Sequence, residues 1–284
     1  MEAIEIDSRS GEAPDMPAGM RVQPSCYILE LSPDWIVIRA SENIHHLLGE
    51  SHVTLIDEPL GKFVHSQALH DLRNLFSRLS GTTGIARAYS VRLTDEPDLV
   101  DIAFQLSEGH VLLEAVSTTG CFGESFGSVG GLVSGLSDAR GGDLLEGAAR
   151  RMRALTGYDR VVLTCGEDRA ESSRGSFAGP STAAELPMLI DDSEAEGISL
   201  FPRERDESFA HEALMRAPTS GERATLAGEG VRAILRMPFR AGGLDCEFRC
   251  ESRLPRRPSL ELHAAAELFA QMFALRLQLD RETD

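Results

Sequence analysis

The sequence predicts an α+β protein of two domains, each an antiparallel sheet with flanking helices. Its 284 residues are enough for about two domains. Short strand-like apolar runs are interleaved with segments whose apolar residues recur at helical spacing. A stretch rich in Gly and Ser, with eight of the 26 glycines, separates the two halves. We therefore predict an arm at 1–19, a first domain at 20–118, a flexible linker at 119–142 and a second domain at 143–282.

The first domain is predicted to run strand, strand, helix, helix, strand, strand, strand. The ranges are 27–31, 35–39, 42–48, 67–79, 88–93, 100–106 and 110–116. Ser32-Pro33-Asp34 marks the turn between the first two strands. Ser41 is a candidate N-cap for the first helix, and Gly81 is a stop signal for the second. We expect a small antiparallel sheet with two helices inserted after its second strand.

The second domain begins and ends with a helix. The predicted elements are a helix at 144–155, strands at 160–165, 231–240 and 244–251, and a helix at 259–281. Gly242-Gly243 is a hairpin turn signal, and Ser259 can cap the last helix. Residues 166–223 are interrupted by Pro and Gly, so no long element is predicted there.

Composition excludes several functions. Lys and Arg total 28 against 45 Asp and Glu, which gives a net charge of −17. Binding to nucleic acid or anionic lipid needs a basic surface, so we expect neither a nucleic acid nor a membrane as partner. No apolar run of membrane-spanning length and no signal-peptide pattern occurs, so we expect a cytoplasmic protein. The five cysteines, an odd and sparse set, are typical of reduced thiols.

Spacing predicts neither an enzyme nor a metal centre. No nucleophile, base and acid can be assembled from it, so we name no catalytic residue. His45 and His46 are adjacent and point to different faces of a helix, which favours exposed helix residues over metal ligands.

Seven segments, in order over about residues 22–280, carry a family resemblance. They are Val22-Gln23-Pro24, SENIHHLLGE (41–50), MRALTGYDRVVL (152–163), LIDDSEAEGISLFP (189–202), HEALMRAPTSGE (211–222), GEGVRA (228–233) and ELHAAAELFAQMFALRLQ (261–278). Together they resemble the photosensory core of bacterial phytochromes, a PAS domain followed by a GAF domain. The resemblance implies biliverdin or a related bilin as cofactor. It also implies an arm that threads a loop of the GAF domain, an exception to the rule that chains do not knot.

The chain departs from that family where the pigment is attached. The family attaches biliverdin to a Cys upstream of its Gln-Pro motif, whereas here Cys26 follows Gln23-Pro24. Plant-type attachment needs a Cys-His pair near 220–222, where this chain has Ser220-Gly221-Glu222. We therefore expect no covalent bilin attachment.

The pocket itself also departs from the family. The family's Cys-His-His segment is replaced by Cys250-Glu251-Ser252, and Glu222 stands where a His is expected. The Asp-Ile-Pro segment, whose Asp contacts the pyrrole nitrogens, is missing between Ala178 and Leu189. Arg216 remains at the position of an arginine that can hold a bilin propionate.

The predicted hairpin gives an independent view of the same pocket. With a two-residue turn at Gly242-Gly243, Met237 faces Phe248 and Leu235 faces Cys250. Because strand side chains alternate between faces, these positions form one apolar core face.

The opposite face of the hairpin is ionic. Arg236 faces Arg249, with Glu247 and Glu251 beside them. A tetrapyrrole needs a mostly apolar slot, and buried unpaired charges are costly. We expect this face to be solvated or to be covered by polar chain. Alternatively, the opposed arginines hold an anion, or they are plain surface charges. The degenerate bilin-pocket positions that we name are Arg216, Glu222, Arg236, Arg249 and Glu251.

The last helix has two apolar stripes with the same 4-3-4 spacing. One comprises Leu262, Ala266, Phe269 and Phe273, and the other comprises Leu268, Met272, Leu275 and Leu279. One stripe can cover the sheet, and the natural partner for the second is the same helix of another copy. Phytochrome-like proteins pair through these helices, so we predict a homodimer. The alternative is a helix buried on two sides within one chain.

Two function classes remain. The first is a red/far-red photoreceptor that holds biliverdin or a related bilin without a thioether. The second is a non-catalytic, chromophore-free signalling module that acts as a dimeric regulatory or interaction domain, with any output protein in trans. We favour the second, because attachment Cys, pocket His, Asp-Ile-Pro segment and apolar slot are jointly missing. A third interpretation is the sensory piece of a longer kinase.

Overall fold

The computed structural model describes residues 21–77, 84–107, 109–120, 123–136, 139–182, 186–203 and 212–281. The arm predicted at 1–19, the stop signal at Gly81 and residue 282 of the predicted second domain lie outside these ranges.

Strands and helices of the described residues are numbered here in chain order. The strands are β1 (Arg21–Val22), β2 (Cys26–Leu31), β3 (Val37–Ser41), β4 (Ala86–Val91), β5 (Val100–Ser107), β6 (His110–Ser117), β7 (Arg160–Cys165), β8 (Asp168–Ser173), β9 (Leu189–Ile190), β10 (Ile198–Phe201), β11 (Ala233–Ala241) and β12 (Leu244–Ser252). The helices are α1 (His45–Leu48), α2 (His52–Leu55), α3 (Ser66–Ser77), α4 (Glu124–Ser134), α5 (Gly141–Thr156), α6 (Ser220–Glu229) and α7 (Leu260–Arg281). The predicted α+β class with antiparallel sheets is confirmed.

The first sheet has the strand order β1-β10-β3-β2-β6-β5-β4, so one strand of the second half, β10, joins it. All neighbours pair antiparallel. One face carries Phe104 and Leu113 and packs on the helices of the first domain. The other face carries Ile28 and Leu112 and packs on the second half of the chain. The sheet is therefore buried on both sides.

The second sheet has the order β8-β7-β12-β11-β9, again antiparallel. Helices α5 and α7 cover one face with Met152, Phe269 and Phe273. Ser259 caps α7 as predicted, since its hydroxyl accepts the Leu262 N–H at 3.1 Å. Within the described residues, no helix is long and apolar enough to cross a bilayer.

The linker prediction is wrong for 124–134, which form helix α4. This helix lies against α7, where the Ser125 N–H donates to Glu261 Oε1 at 2.9 Å. Val129 and Leu136 of this region enter the common core. Packing of these few apolar side chains outweighs the low helix propensity of the glycines around them.

One other local prediction is wrong, and one helix was not predicted. Ser41 lies in β3 and does not cap a helix, because its hydroxyl accepts the Ile28 N–H at 3.0 Å, and Ile44 precedes α1 instead. The described part of the stretch 166–223 holds the short strands β8, β9 and β10 and only the beginning of helix α6, which was not predicted. β8 pairs with β7 although it is mostly polar, because one of its faces stays in solvent.

The N-terminal segment that begins at Arg21 lies between β10 and residues 215–217 of the second half. Arg21 pairs with Ser199 on one side, and its carbonyl accepts the Ala217 N–H at 2.8 Å on the other. Gly197 is packed tightly here, because a Cβ at this position would lie 2.7 Å from Ala217 Cβ. The path of residues 1–19, and with it any threading, lies outside the described residues.

Candidate functional site

The β11–β12 hairpin positions the candidate site, and its register is as predicted. Met237 lies opposite Phe248, Leu235 opposite Cys250, and Arg236 opposite Arg249. Gly242 and Gly243 have φ of 56° and 80°, the positive values that a tight two-residue hairpin turn requires.

The apolar face of the hairpin is centred on Phe248, which is fully buried. Its ring centroid lies 5.4 Å from that of Phe239, 5.9 Å from Phe269 and 5.5 Å from Phe273. Helix α7 therefore closes this face with aromatic contacts.

The ionic face is buried as well. Arg160, Arg249 and Glu251 are exposed by only 3%, 4% and 0%. The expectation of a solvated face is wrong for these residues, and its alternative, a face covered by polar chain, describes them. The cover is the segment 177–182 together with the last turn of α6.

Glu251 is the centre of the buried charges. Its carboxylate forms an ion pair with Arg160 of β7, the residue opposite it in register. It lies 2.6 Å from Arg249 Nε, and the Ser181 hydroxyl donates to it at 2.6 Å. One carboxylate thus forms ion pairs with two guanidinium groups and accepts a hydrogen bond from a hydroxyl.

Glu229 completes the network from α6. Its carboxylate lies 2.5 Å from Arg249 Nη2 and accepts the Thr182 N–H at 2.9 Å. Arg249 also donates to the Thr182 carbonyl. The chain Arg160–Glu251–Arg249–Glu229 therefore has two positive and two negative groups and no net charge, which is how charges are tolerated in a buried setting.

Arg160 is also held from outside the network. Its Nη1 donates to the Gly179 carbonyl at 2.9 Å, and its guanidinium lies 4.0 Å from the centroid of the Phe177 ring. Phe177 packs in turn against an apolar cluster of Leu186, Ile190, Leu226, Val231 and Ile234. Residues 177–182, Leu186 and α6 thus lie over this face of the sheet.

Each of the two opposed arginines is paired with a carboxylate. Arg236 lies 2.6 Å from Glu247 and donates to the Leu186 carbonyl, while Arg249 is matched by Glu229 and Glu251. The anion interpretation stays a prediction that these pairings do not favour. The surface-charge interpretation is wrong for Arg249, which is buried.

Arg216 and Glu222 form a separate ion pair at the start of α6. Two guanidinium nitrogens donate to the two carboxylate oxygens at 2.5 and 2.9 Å. Glu222 also completes a capping box with Thr219, whose N–H donates to Oε2 at 2.6 Å. Burial alone would raise the pKa of Glu222, but the hydrogen bonds from Arg216 and Thr219 outweigh it and hold the pKa below its ordinary value.

Helix α6 therefore supplies a carboxylate at each end, one to Arg216 and one to Arg249. Sequence reasoning named Glu222 but missed Glu229, Arg160, Ser181 and Thr182. Arg160 could have been found, because it opens the predicted strand that pairs with β12 opposite Glu251. Nothing in the local sequence indicates the role of Ser181, Thr182 or Glu229, because that role depends on long-range contacts of 177–182 and α6 with the sheet.

Three cavities lined by described residues lie elsewhere. One of about 700 Å³ lies between α3 and β4, one of about 440 Å³ between α7 and β11, and one of about 470 Å³ beside Pro24 and 255–258. Arg160, Arg216, Arg249 and Glu251 line none of these three. Among the described residues, no group of three or more His, Cys, Asp or Glu could hold a metal ion.

The two stripes of α7 have different surroundings. Ala266, Phe269 and Phe273 of the first stripe are fully buried. The second stripe is exposed, with 39% for Leu268, 41% for Met272, 63% for Leu275 and 60% for Leu279. The helix is therefore covered on one side within the chain, and an apolar surface remains on the other.

Comparisons with known proteins identify the fold. Residues 12–115 match a family model of the PAS fold. No curated protein matches the chain at a significant level. The chain is 21% identical to the chromophore-binding domain of a phytochrome from Stigmatella aurantiaca, over 93% of this chain and 98% of that one, with a TM-score of 0.75.

Two other solved structures have a similar fold. The chromophore-binding domain of an unusual bacteriophytochrome from R. palustris is 21% identical over 96% of this chain and 99% of that one, with a TM-score of 0.74. The photosensory core module of the Stigmatella aurantiaca phytochrome is 19% identical, and the match covers 94% of this chain but 60% of that longer one, with a TM-score of 0.76. The predicted PAS–GAF architecture of bacteriophytochromes is confirmed as the fold of this chain.

Proposed function

Given the PAS–GAF fold of a bacteriophytochrome chromophore-binding domain, we propose that this chain is a chromophore-free signalling module. It keeps the phytochrome-like fold and acts as a regulatory or interaction domain without catalysis. The observation that supports the proposal is the filled ionic face of the second sheet, where each arginine forms an ion pair with a carboxylate of the chain itself.

The residues at this face do not fit a linear tetrapyrrole. The network of Arg160, Glu251, Arg249 and Glu229 is buried under 177–182, and entry of a pigment would have to separate paired charges. Arg216, which the resemblance assigns to a bilin propionate, is taken by the carboxylate of Glu222. Glu222 thus pairs with Arg216 and Glu229 with Arg249, so neither arginine is free to bind the carboxylate of an acidic ligand.

Coexpression with a biliverdin-producing haem oxygenase tests this proposal. We expect purified protein without a red or far-red absorption band and without any light-dependent spectral change. The chromophore-binding domain from Stigmatella aurantiaca, prepared in the same strain, is the positive control. A band that shifts under illumination would replace the proposal with its alternative, a photoreceptor that holds bilin non-covalently.

We further propose that the module is a homodimer through α7. The exposed stripe of Leu268, Met272, Leu275 and Leu279 supports this, because its 4-3-4 spacing matches the seam of paired helices. A second copy presents the same stripe, so a two-fold axis can bury both.

Light scattering coupled to gel filtration tests the dimer. Met272→Glu together with Leu275→Glu should give a monomer, because it puts charges in the apolar seam. Leu254→Glu is the matched control, since Leu254 is 71% exposed and lies outside α7; it should leave the dimer intact. A double variant that remains dimeric, or wild-type protein that is monomeric at high concentration, would refute the proposed interface.

The remaining parts of the proposal concern partners and location. We propose a cytoplasmic protein that passes its signal to an output protein in trans through the dimer, with neither nucleic acid nor membrane as partner. The net charge of −17 supports the part that concerns nucleic acid and anionic membranes, since both repel an acidic protein. Affinity capture with wild-type protein and with the Met272→Glu/Leu275→Glu variant as baits would test whether output requires the dimer. A partner that binds only the wild type would support this requirement, and a partner that binds both equally would contradict it.

A further inference from the structure

Two cysteines of the second sheet lie directly opposite each other. Cys165 is the last residue of β7, and it pairs in register with Cys246 of β12. The two residues are exposed by only 1% and 5%, and both are free thiols. Because paired residues share a face of the sheet, both thiols lie on the apolar face that carries Phe248.

The hydrogen bonds around this pair bring the two cysteines close together. The Gly166 N–H donates to the Asp245 carbonyl at 3.2 Å. This bond joins the residue after one cysteine to the residue before the other, so the cysteines form a non-hydrogen-bonded pair. The Cα atoms of such a pair lie about 4.5 Å apart, within the range of roughly 4.4–6.8 Å that a disulfide spans. The backbone can therefore accept a bond between these two sulfur atoms.

The two thiols also interact with each other. Burial is the largest influence on both and raises the pKa of each. A hydrogen bond between the two side chains raises the pKa of Cys165 further and acts in the opposite direction on Cys246, so Cys165 is the donor. The charge of Arg281, the last residue of α7, lowers the pKa of both. Cys246 is therefore the thiol that ionises more readily, and the thiolate is the form that attacks an oxidant.

The other described cysteines lie opposite apolar residues. Cys250 is on the same face of β12 as Cys246, but its cross-strand neighbour on β7 is Val161. Cys26 of the first sheet lies opposite Val116. Among the described cysteines, the sheet register thus joins only Cys165 and Cys246 as a thiol pair.

We propose that Cys165 and Cys246 are a reversible redox modification site, where hydrogen peroxide converts the two thiols into a cross-strand disulfide. The Cys246 thiolate attacks one oxygen of the peroxide, the O–O bond breaks, and the leaving hydroxide takes up the proton of that thiol to give water. The Cys165 sulfur then attacks the sulfur of the sulfenic acid, the S–O bond breaks, and the leaving hydroxide takes up the Cys165 proton. Each sulfur loses one electron, one peroxide becomes two waters, and a dithiol reverses the change.

The disulfide closes a loop made of residues 166–245. That loop contains the cover segment 177–182 and all of α6, which lie over the ionic face of the sheet. A cross-link between the ends of a long segment restricts the unfolded chain more than the folded one. Oxidation therefore stabilises the second domain, and this effect requires neither a bilin nor a dimer.

Peptide mapping of the full chain under non-reducing conditions tests the site. Reduced, folded protein is treated with excess hydrogen peroxide at about pH 8.5, where thiolate is more abundant. It is then unfolded, alkylated and digested. We expect a linked pair of peptides that contain Cys165 and Cys246 and that dithiothreitol separates. Cys246→Ala should abolish the link. Cys250→Ala, which removes a buried thiol from the same strand face, is the matched control and should keep it.

Thermal unfolding of wild-type protein gives a second readout that needs no variant. Peroxide-treated protein should unfold roughly 5 °C higher than the same sample after dithiothreitol, a comparison in which any oxidised methionine is common to both. Two results would overturn the site: complete alkylation of Cys165 and Cys246 after peroxide treatment, or a disulfide from either one to another cysteine. A Cys165–Cys246 link that leaves the unfolding temperature unchanged would refute the stabilising effect.

Discussion

The two faces of the second sheet are both buried, yet different interactions hold them. One face packs Phe248 against aromatic side chains of α7, and its contacts are non-directional. The other face packs two arginines and two carboxylates under 177–182, and its contacts require every partner to be in place. The same alternation along β12 supplies both, with Phe248 and Cys250 on one side and Arg249 and Glu251 on the other.

The comparison between the two faces is the basis for the proposal that this chain holds no pigment. An apolar face tolerates exchange of one apolar group for another, whereas a buried ion network resists insertion of a foreign molecule because each separated pair leaves an uncompensated charge. In this chain the network and its cover take the place over the sheet where the resemblance puts a bilin.

The largest effect is expected on the apolar face. Phe248→Ala removes a fully buried ring that touches Phe239, Phe269 and Phe273, and should lower the free energy of unfolding by about 4 kcal/mol. Urea unfolding followed by circular dichroism measures this. Leu254→Ala, at a 71% exposed position, should change it by less than about 0.5 kcal/mol. A loss at Phe248 no larger than that of the control would contradict the assignment of the core.

Breaking one member of the network should have the next largest effect. Glu251→Leu leaves Arg160 and Arg249 buried without their shared carboxylate, and should cost roughly 3 kcal/mol of unfolding free energy. The same unfolding experiment measures it. Unchanged stability would mean that the ionic face is open to water and that the two faces do not differ as described.

Replacing the whole network sharpens the comparison. A variant with Arg160→Met, Arg249→Met, Glu251→Leu and Glu229→Leu removes charges in balanced pairs and should be much less destabilised than Glu251→Leu alone. Such replacements leave stability unchanged or raise it by about 1–4 kcal/mol in other proteins. Additive losses from the four changes would show that the pairs stabilise the fold in their own right.

A smaller, pH-dependent effect is expected at Arg216. Glu222→Gln keeps the side-chain shape but removes the charge that faces Arg216, and should cost about 1 kcal/mol near neutral pH. Because the pKa of Glu222 is lowered in the folded protein, this contribution is complete above the unfolded pKa of about 4.3 and is lost as pH falls through the folded value. Unfolding of both proteins from neutral to acidic pH measures it. A difference that grows as pH falls would have the wrong sign.

Local pattern was enough to predict the elements and the hairpin register. Strand β7 has the predicted bounds, and Met237 lies opposite Phe248 because the turn at Gly242-Gly243 fixes the pairing. The exposed stripe on α7 also followed from spacing alone.

The burial of Arg249 and Glu251 could not be read from local pattern, because their cover comes from residues about 20 to 70 positions away. Helix α4 was missed because its glycines mask a helix that tertiary packing stabilises. The Ser41 hydroxyl was assigned to a helix although it is used within the sheet.

Titration of the purified protein with biliverdin, followed by induced circular dichroism in the visible region, tests the central claim most directly. A bilin that is bound in one asymmetric site acquires such a signal, whereas pigment that stays free in solution does not. We predict no saturable signal with wild-type protein, because Glu222 already pairs with Arg216 and Glu229 already pairs with Arg249. A saturable signal with one pigment per chain would contradict the account.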